Sequence, residues 1–519
     1  MNTDHPFSVP AADAPANAPA AAAGCAGGMP AARRAYDGAD ALTALLTLGL
    51  GYTFVRLILF SGAGVTLFAA LFAAVALLYA RRAGVRPLSR PAARGWLGYL
   101  AALALLFLLG VPAALAPFAT LVLALAAVCW TLALFGARRC ARLDGAFAGD
   151  LFCGLFALPF SGFFALPEAL AAALRRLRRG ERRGGGAVAL GLLLALALVP
   201  LVLALLAAAD PRFEQAFTAL YGWFDDNMRE IVWRMAFALP VAFYLFGLFC
   251  GARQHRGPAA AQTAAPAPAR RLAFAAAGIP MAALLLIYAV FLAAQLPYFF
   301  SAFAGLLPAD FTYAEYARRG FFELFRVAAL NAALLCFARR RTAPGGRPRR
   351  LLCLLLCAAT LLLLLTAARK LALYIGRYGI TARRLWAAWG MVGIAAAVLL
   401  LAAGELCRLP LTKLLALALC GWFFVLCAVN ADALAMRVNY AAYTAGQLAE
   451  FDVAQGDASA CAGVLADIAR TSADKTLRAD ARHRLQSEPD SGAGQTGVDA
   501  FAAFTLRGAL AARAARAVR

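Results

Sequence analysis

Stretches of about 20 mostly apolar residues recur along most of the chain, and short polar segments separate them. A bilayer has a hydrocarbon core about 30 Å thick, so an α-helix needs about 20 residues to cross it. The pattern therefore predicts an all-α integral membrane protein, a polytopic helical bundle of about eleven transmembrane helices. The predicted spans are residues 41–60, 62–80, 96–112, 116–136, 187–209, 231–250, 272–299, 320–338, 351–369, 384–404 and 411–430.

Three regions depart from this pattern. Residues 1–40 are rich in Ala and Pro and have no apolar periodicity, which is typical of a disordered cytoplasmic leader. Residues 431–519 carry ten basic and ten acidic residues and are predicted to be a charge-balanced tail, helical or partly disordered. Within the transmembrane domain of residues 41–430, segment 151–174 is apolar but interrupted by Pro and Gly, so we expect an interfacial or re-entrant helix there.

The composition supports the membrane assignment. Hydrophobic residues make up 63% of the chain and charged residues 15%, and the mean hydropathy is +0.73. Soluble domains have roughly 45–50% apolar and about 25% charged residues, so a soluble enzyme or a DNA-binding protein is excluded. The twelve cysteines include no Cys-x-x-Cys pair, and the three histidines are far apart in sequence. No disulfide framework, metal ligand set or cofactor is therefore expected.

The net charge of +23 comes from short loops between the apolar runs. Arginine-rich loops alternate with acidic or balanced ones, and the positive-inside rule assigns the arginine-rich loops to the cytoplasm. These loops are residues 81–95, 137–186, 251–271 and 338–350. We thus expect a bacterial inner-membrane protein with a cytoplasmic N-terminus and an outer C-terminal tail. Its expected partners are the bilayer, anionic inner-leaflet lipids and, as an open alternative, a membrane partner subunit, but no nucleic acid.

Segment 369–384 breaks the alternation, because it carries five cations and no acid yet falls on the predicted outer side. Either these cations have a specific partner, or a neighbouring span is misplaced.

Three polar clusters lie near the predicted outer ends of helices, in residues 311–331, 374–384 and 430–439. In the first, charges of alternating sign share one helical stripe. In the second, Gly379 is expected to end one helix and Thr381 to cap the next. The candidate residues are Glu315, Arg318, Arg319, Glu323, Arg326, Asn331, Tyr374, Arg377, Tyr378, Arg383, Arg384, Asn430, Asp432, Arg437 and Asn439.

Two interpretations of these clusters stay open. Tyr and Arg at helix ends are ordinary interfacial anchors, and a charged stripe can simply join two helices. Alternatively, the clusters form one outer-facing pocket, in which an arginine of segment 374–384 (Arg377, Arg383 or Arg384) pairs with Glu315 or Glu323. No catalytic, cofactor-binding or metal-binding residue is predicted.

The same motifs resemble a bacterial multipass membrane family. They are the segment Thr-Tyr-Ala-Glu-Tyr-Ala-Arg-Arg-Gly-Phe-Phe-Glu-Leu at 312–324, the pattern Tyr-Ile-x-x-Tyr-Gly-Ile-Thr-x-x-Arg at 374–384, and the segment with Asn430 and Asn439. Together they resemble the domain of unknown function 4173, with its relative 4153, over most of residues 40–450. The resemblance implies a multipass inner-membrane protein and no reaction, substrate or cofactor.

For function, the sequence favours a transport-like or membrane-scaffold role. No Asp, Glu or Lys lies in the middle of a predicted span, which argues against a proton-coupled carrier. One alternative is a membrane enzyme for a lipid-linked phosphate, with arginines on the phosphate and Glu315 or Asp432 as base. The other is a sensor or regulatory subunit whose segments 210–230 and 431–519 meet a partner.

Overall fold

The structure, a computed structural model, describes the chain in ten ranges. These are residues 36–57, 62–87, 89–137, 147–180, 211–254, 272–303, 321–342, 346–407, 409–487 and 498–518. Their regular elements are all helices, and no β-strand occurs in these ranges. The all-α fold class is therefore confirmed for this part of the chain.

The helices are numbered here in chain order. The first half contains two helical hairpins, a broken segment and one long helix. They are α1 Gly38–Leu57, α2 Ala63–Arg82, α3 Pro91–Leu109, α4 Ala116–Phe135, α5 Phe147–Phe152, a π-helical turn Cys153–Ala157, α6 Leu158–Ser161, α7 Ala165–Gly180 and α8 Pro211–Gln254. The second half contains five long helices and five shorter ones. They are α9 Ala275–Phe303, α10 Phe321–Arg341, α11 Arg347–Tyr378, α12 Ala382–Leu406, α13 Leu411–Ala428, α14 Ala431–Thr444, α15 Ala458–Thr471, α16 Lys475–Ser487, α17 Val498–Ala503 and α18 Leu506–Val518.

Among the described residues, nine helices are long and apolar enough to cross a bilayer. They are α1–α4, residues 233–254 of α8, residues 275–294 of α9, and α11–α13. The predicted span 320–338 does form a helix over its described part, α10, but it is not among the nine. The predicted span 187–209 lies outside the described residues. A multipass membrane protein is thus supported, whereas the count of about eleven spans is not confirmed.

The broken segment consists of two helical pieces. Residues 147–161 and 165–176 meet at an angle of 46°, the geometry of a broken span or a re-entrant loop. The bend packs on α8 at glycine, because a Cβ on Gly247 would lie 2.4 Å from the Pro159 carbonyl oxygen. The hydroxyl of Tyr244 donates to the Leu155 carbonyl, 3.1 Å away, which satisfies a backbone group in the π-helical turn.

One end of the bundle, here called the arginine end, includes the ends of α8 and α10 and the start of α11, each of which carries arginine. At this end Arg253 of α8 pairs with Asp37 and with Asp40, each at 2.7 Å. Arg339 and Arg349 pair with the buried carboxylate of Glu405, at 2.7 and 2.9 Å. These ion pairs hold together the ends of separate helices, where an unpaired buried charge would be costly.

The N-terminal boundary differs slightly from the predicted one. Helix α1 begins at Gly38, and both Tyr36 and Asp40 are buried. Asp37 and Asp40 accept hydrogen bonds from each other's backbone N–H groups at 2.9 Å, a reciprocal cap of the helix start. The last residues of the predicted leader therefore belong to the helical bundle.

The opposite end, here called the tail end, includes the start of α2, the α3–α4 turn and the junction of α11 with α12. Residues 431–487 and 498–518, here called the C-terminal unit, pack against it. The unit has its own buried core, which includes Met436, Leu465 and Ile468. Helix α15 supplies much of this core because its apolar residues recur on one side. The described residues of the predicted tail are thus helical, and the sequence did not predict their shared buried core, because frequent alanine hides the apolar periodicity.

Candidate functional site

Arg384 of α12 binds back to the end of α11 and so stabilises the turn between the two helices. Its guanidinium lies 4.1 Å from the ring centroid of Tyr374, and it donates to the carbonyl oxygens of Tyr378 (3.1 Å) and Gly379. A cation at this position satisfies the last carbonyls of a helix and opposes the negative end of its dipole. Thr381 caps α12 by accepting from the backbone N–H of Arg384, as the sequence predicts.

Asn439 of α14 holds the same segment from the other side. Its amide oxygen accepts from the Ile380 N–H, and its amide nitrogen donates to the Ile380 carbonyl, both at 2.7 Å. The side chain of Gln455 donates to the same carbonyl and accepts from Asn439. The second and third polar clusters are therefore in direct contact.

Asn430 joins the bundle to the C-terminal unit. Its side chain caps α14 by accepting from the Ala433 N–H at 3.2 Å, and it donates to the Ala460 carbonyl of α15 at 2.7 Å. The end of α13 is thus tied to the first turns of both α14 and α15.

A pocket of about 380 Å³ lies between this junction and the α3–α4 turn; it is called the tail-end pocket below. One wall is the turn Gly110–Ala114, and another is the start of α12 with Arg383 and Trp386. The C-terminal unit supplies the remaining walls, with Asp432, Gly456, Asp457, Ser459, Ala460, Thr505, Arg507 and Gly508. Its size is within the usual range for small-molecule sites, about 300–1,000 Å³.

Four helices begin at the tail-end pocket. Ala382, Asp432, Ser459 and Arg507 are each the first or second residue of their helix, in α12, α14, α15 and α18. The N-terminus of a helix carries a partial positive charge and N–H groups without intrahelical acceptors. Asp457 satisfies some of these at α15, because it accepts from the Ala460 N–H at 3.1 Å.

The two arginines of the pocket differ in their bonding. Arg507 donates to the carbonyl oxygens of Gly110 (2.6 Å) and Ala428 (2.7 Å), so two of its five N–H donors bind the protein itself. Its burial lowers the pKa of the guanidinium. Arg383 is exposed and has no hydrogen bond or ion pair with any residue in the described part of the chain. Arg383 is therefore the cation that the pocket offers to a ligand.

The acids of the pocket influence each other. Burial raises the pKa of the Asp432 carboxyl, and the neighbouring charge of Asp457 raises it further. A backbone hydrogen bond from Asp457 and the charge of Arg484 act in the opposite direction but do not cancel the rise. Asp432 is therefore a carboxylate whose charge the protein leaves incompletely compensated.

The structure brings some of the sequence-predicted residues to this region and not others. Arg383 and Asp432 line the pocket, while Tyr374, Tyr378, Arg384, Asn430 and Asn439 shape the adjoining junction. Arg377 and Arg437 are exposed and do not line the pocket. Glu315, Arg318 and Arg319 lie outside the described residues.

The remaining predicted residues belong to α10. Glu323 and Arg326 are exposed near its start, and Glu323 acts electrostatically on Lys370 of α11. Within the described residues, Glu323 forms no ion pair with any of the three predicted arginines, and pairing with Glu315 stays a prediction. Asn331 is buried, accepts from the Tyr288 hydroxyl at 2.8 Å and donates to Thr360 at 3.0 Å. Asn331 therefore joins α9, α10 and α11 inside the bundle, and it does not line the pocket.

Sequence reasoning missed half of the charged pocket residues, Asp457 and Arg507. A capping signal for Asp457 was present, since it directly precedes an alanine-rich apolar stripe. No such signal marks Arg507, because its acceptors are backbone carbonyls 79 and 397 residues away. No group of three or more potential metal ligands occurs in the part of the chain that is described.

Comparison with known proteins gives one match. The sequence profile of a domain of unknown function (DUF4153) matches residues 97–464. The match includes the α3–α4 turn, Arg383, Asp432 and Asp457, whereas Arg507 lies beyond it. Of the two families that the motifs resemble, 4153 is thus the one shown. No curated protein and no solved structure is significantly similar to the chain.

Proposed function

The chain belongs to the family of the domain of unknown function DUF4153, and on this basis we propose that it is a multipass inner-membrane protein that binds a charged small molecule or headgroup at its outer face. The tail-end pocket is the binding site, in a transport-like or scaffold role. The cytoplasmic face is the arginine end, and the C-terminal unit lies outside, as the positive-inside rule requires.

One observation carries this proposal. The tail-end pocket offers a cation without a described partner, Arg383, beside the incompletely compensated carboxylate of Asp432. If Arg383 were only an interfacial anchor, the cavity would not need the two further charges, Asp457 and Arg507, that the C-terminal unit places in it. A few charged groups converging in a concave site at a junction between units are typical of ligand recognition.

The positions of the carboxylates in the membrane helices favour ligand binding over proton-coupled transport. In the nine unbroken candidate spans among the described residues, the carboxylates are Asp40, in the first turn of α1, and Glu405, in the last turn of α12, and both are ion-paired. Proton relays of carriers usually use carboxylates near the middle of the bilayer. Asn331, which does lie deep in the bundle, is already hydrogen-bonded on both sides of its amide.

A membrane enzyme for a lipid-linked phosphate is the second candidate. The observation that favours it is Asp432, because a carboxyl with a raised pKa in a cavity is suited to general acid–base chemistry. Under this alternative, Asp432→Asn abolishes turnover while Arg383 still holds the phosphate. Under the binding proposal, Asp432→Asn weakens ligand retention itself.

Native mass spectrometry of the full chain, extracted from its own membrane in mild detergent, tests the binding proposal. We expect the wild-type protein to retain a specific small molecule or lipid that Arg383→Gln loses. Arg377→Gln is the matched control, because Arg377 is an exposed arginine of the same segment outside the pocket lining. Equal retention by both variants, or no retained molecule in the wild type, would contradict the proposal.

A further inference from the structure

The charges of the tail-end pocket are balanced and come from different helices. Two arginines and two aspartates line it, so its formal charge is zero. The aspartates are neighbours, since the Asp432 carboxylate lies against Gly456, the residue before Asp457. The cation without a partner, Arg383, comes from the start of α12 instead. A ligand in the pocket therefore meets an acidic wall and a basic wall.

This arrangement disfavours a simple anion. Two donors of Arg507 are already bound to carbonyl oxygens, so Arg383 is the main donor for a phosphate group, which would also face two carboxylates. A simple cation is equally disfavoured, because Arg383 would repel it. A ligand with one group of each sign is complementary to both walls.

The acidic wall is suited to a ligand group that donates hydrogen bonds. Asp457 already accepts from the Ala460 N–H and from the Ser459 hydroxyl, as a helix cap does. Asp432 is not the cap of its helix, since Asn430 has that role. Burial and the neighbouring charge of Asp457 raise the pKa of the Asp432 carboxyl, so a further donor would stabilise its ionised form. A primary ammonium, with three N–H donors, would supply it.

The basic wall suits a phosphate diester. A guanidinium binds two phosphate oxygens at once through parallel N–H groups. Trp386 lies on the same wall, and its buried indole N–H has no acceptor among the described residues. The apolar lining of Val111, Pro112 and Ala113 continues towards the ends of the membrane helices, where the backbone of a lipid would lie.

On the proposed binding function, we propose that the tail-end pocket selects a phosphoethanolamine group, with the phosphate on Arg383 and the primary ammonium on Asp432 and Asp457. This chemistry is available from a phosphatidylethanolamine headgroup and from a soluble phosphoethanolamine ester. Phosphatidylcholine lacks the ammonium N–H donors, and phosphatidylglycerol lacks the cation. Comparing the three lipids therefore separates the contributions of the two walls.

The test uses the full chain reconstituted with equal parts of these three lipids, followed by extraction and native mass spectrometry. We expect phosphatidylethanolamine to be enriched over the bulk at least about fivefold, which corresponds to about 1 kcal/mol of selectivity. Both Arg383→Gln and Asp432→Asn should abolish the enrichment. Arg377→Gln and Asp467→Asn, exposed residues outside the pocket lining, should preserve it.

A second arm identifies the source of the ligand. Glycerophosphoethanolamine is titrated by calorimetry into the protein reconstituted in phosphatidylcholine. Saturable binding without lipid enrichment would support the same chemistry with a soluble ligand. Lipid enrichment without binding of the ester would assign the site to the membrane lipid.

Other outcomes would overturn the inference in distinguishable ways. Enrichment of phosphatidylglycerol that depends on Arg383 but not on Asp432 would exclude a zwitterion while leaving a binding pocket. Retention of an unrelated molecule from the native membrane would likewise exclude phosphoethanolamine as the ligand while leaving a binding pocket. If no ligand of any kind is retained, both the inference and the proposed function are wrong.

Discussion

Asn439 lies directly against the Cα atom of Gly379: a Cβ added to Gly379 would be 2.8 Å from the Asn439 amide oxygen. Gly379 also has a φ of +71°, in the left-handed region that residues with a Cβ rarely adopt. The chain can therefore turn from α11 into α12 beside α14 only if this position lacks a side chain. This contact fixes the start of α12, and with it the position of Arg383 in the pocket wall.

Replacing Gly379 by alanine should accordingly destabilise the protein. We expect a loss of about 1–3 kcal/mol from backbone strain, plus displacement of Asn439 from Ile380. Thermal unfolding in detergent measures the effect. Gly376→Ala is the control, because Gly376 lies in the last turn of α11 with no atom within 4 Å of an added Cβ. Similar stability of the two variants would show that the contact with Asn439 does not constrain the turn.

The polar contacts inside the bundle give a second prediction. Replacing Asn331 by leucine removes its hydrogen bonds to Tyr288 and Thr360 while keeping the number and branching of the side-chain heavy atoms. Side-chain hydrogen bonds between membrane helices contribute about 0.6 kcal/mol on average and up to about 1.7. We therefore expect the free energy of unfolding to fall by about 1–2 kcal/mol. Thr366→Val is the control, because the Thr366 hydroxyl bonds within its own helix to Leu362; an equal loss there would contradict the account.

The site shows how far the sequence could predict this protein. Gly379 and Thr381 were predicted as a helix end and a cap because both roles depend on local backbone geometry. Arg383 and Asp432 were found because polar residues at the ends of apolar runs stand out. Asp457 and Arg507 were not, because the long-range packing of the C-terminal unit places them. Arg507 in particular meets backbone carbonyl groups, which no residue pattern marks.

A similar limit applies at the arginine end. Averaging the composition over residues 1–40 assigned Asp37 and Asp40 to a disordered leader. Their partner Arg253 is more than 200 residues away, so only the folded chain brings the three together. The Asp-x-x-Asp spacing directly before an apolar run is a local signal for a helix cap, and averaging the composition over 40 residues conceals it.

The pairing of Asp37 with Arg253 gives stability a specific dependence on pH. The hydrogen bond from Arg253 lowers the pKa of Asp37 to about 2, against 3.8 for the unpaired group. Because the folded state favours the ionised form, this contribution is complete above about pH 4 and is lost as the pH falls towards 2. Asp37→Asn should therefore lower Tm at pH 7, and the difference from the wild type should vanish near pH 2.

Unfolding curves recorded from pH 7 to pH 2 check this dependence. Asp467→Asn is the control, because Asp467 is exposed and its variant should follow the wild type throughout. A Tm difference for Asp37→Asn that stays constant to pH 2 would exclude the ion pair as its source.

The orientation of the bundle can be tested with cysteines. Cys407 is the exposed cysteine among those described, and it lies at the arginine end. With Cys25 and Cys140 replaced by serine, a membrane-impermeant maleimide should label Cys407 only after the cells are permeabilised. A second variant, Ser487→Cys with Cys407→Ser, should be labelled in intact spheroplasts, because Ser487 is exposed on the C-terminal unit. The reverse labelling pattern would place the tail-end pocket in the cytoplasm.

Arg507 determines whether the C-terminal unit closes the pocket. It donates to Gly110 at the end of α3 and to Ala428 at the end of α13, so one side chain holds α18 to two membrane helices. Hydrogen bonds from a charged group contribute about 1.5–3 kcal/mol, and Arg507→Gln should therefore lower the hydrogen-exchange protection of α17 and α18 at least about tenfold.

Exchange over the rest of the bundle serves as the internal reference, and Arg513→Gln, on the exposed side of the same helix, as the matched variant. Arg507→Lys separates charge from geometry, because an ammonium lacks the planar fork that reaches two carbonyl groups at once. If the lysine variant keeps full protection from exchange, a positive charge at position 507 is enough to hold the C-terminal unit in place. If it exchanges like Arg507→Gln, the two directed hydrogen bonds hold the unit in place, and ligand retention should decline in parallel.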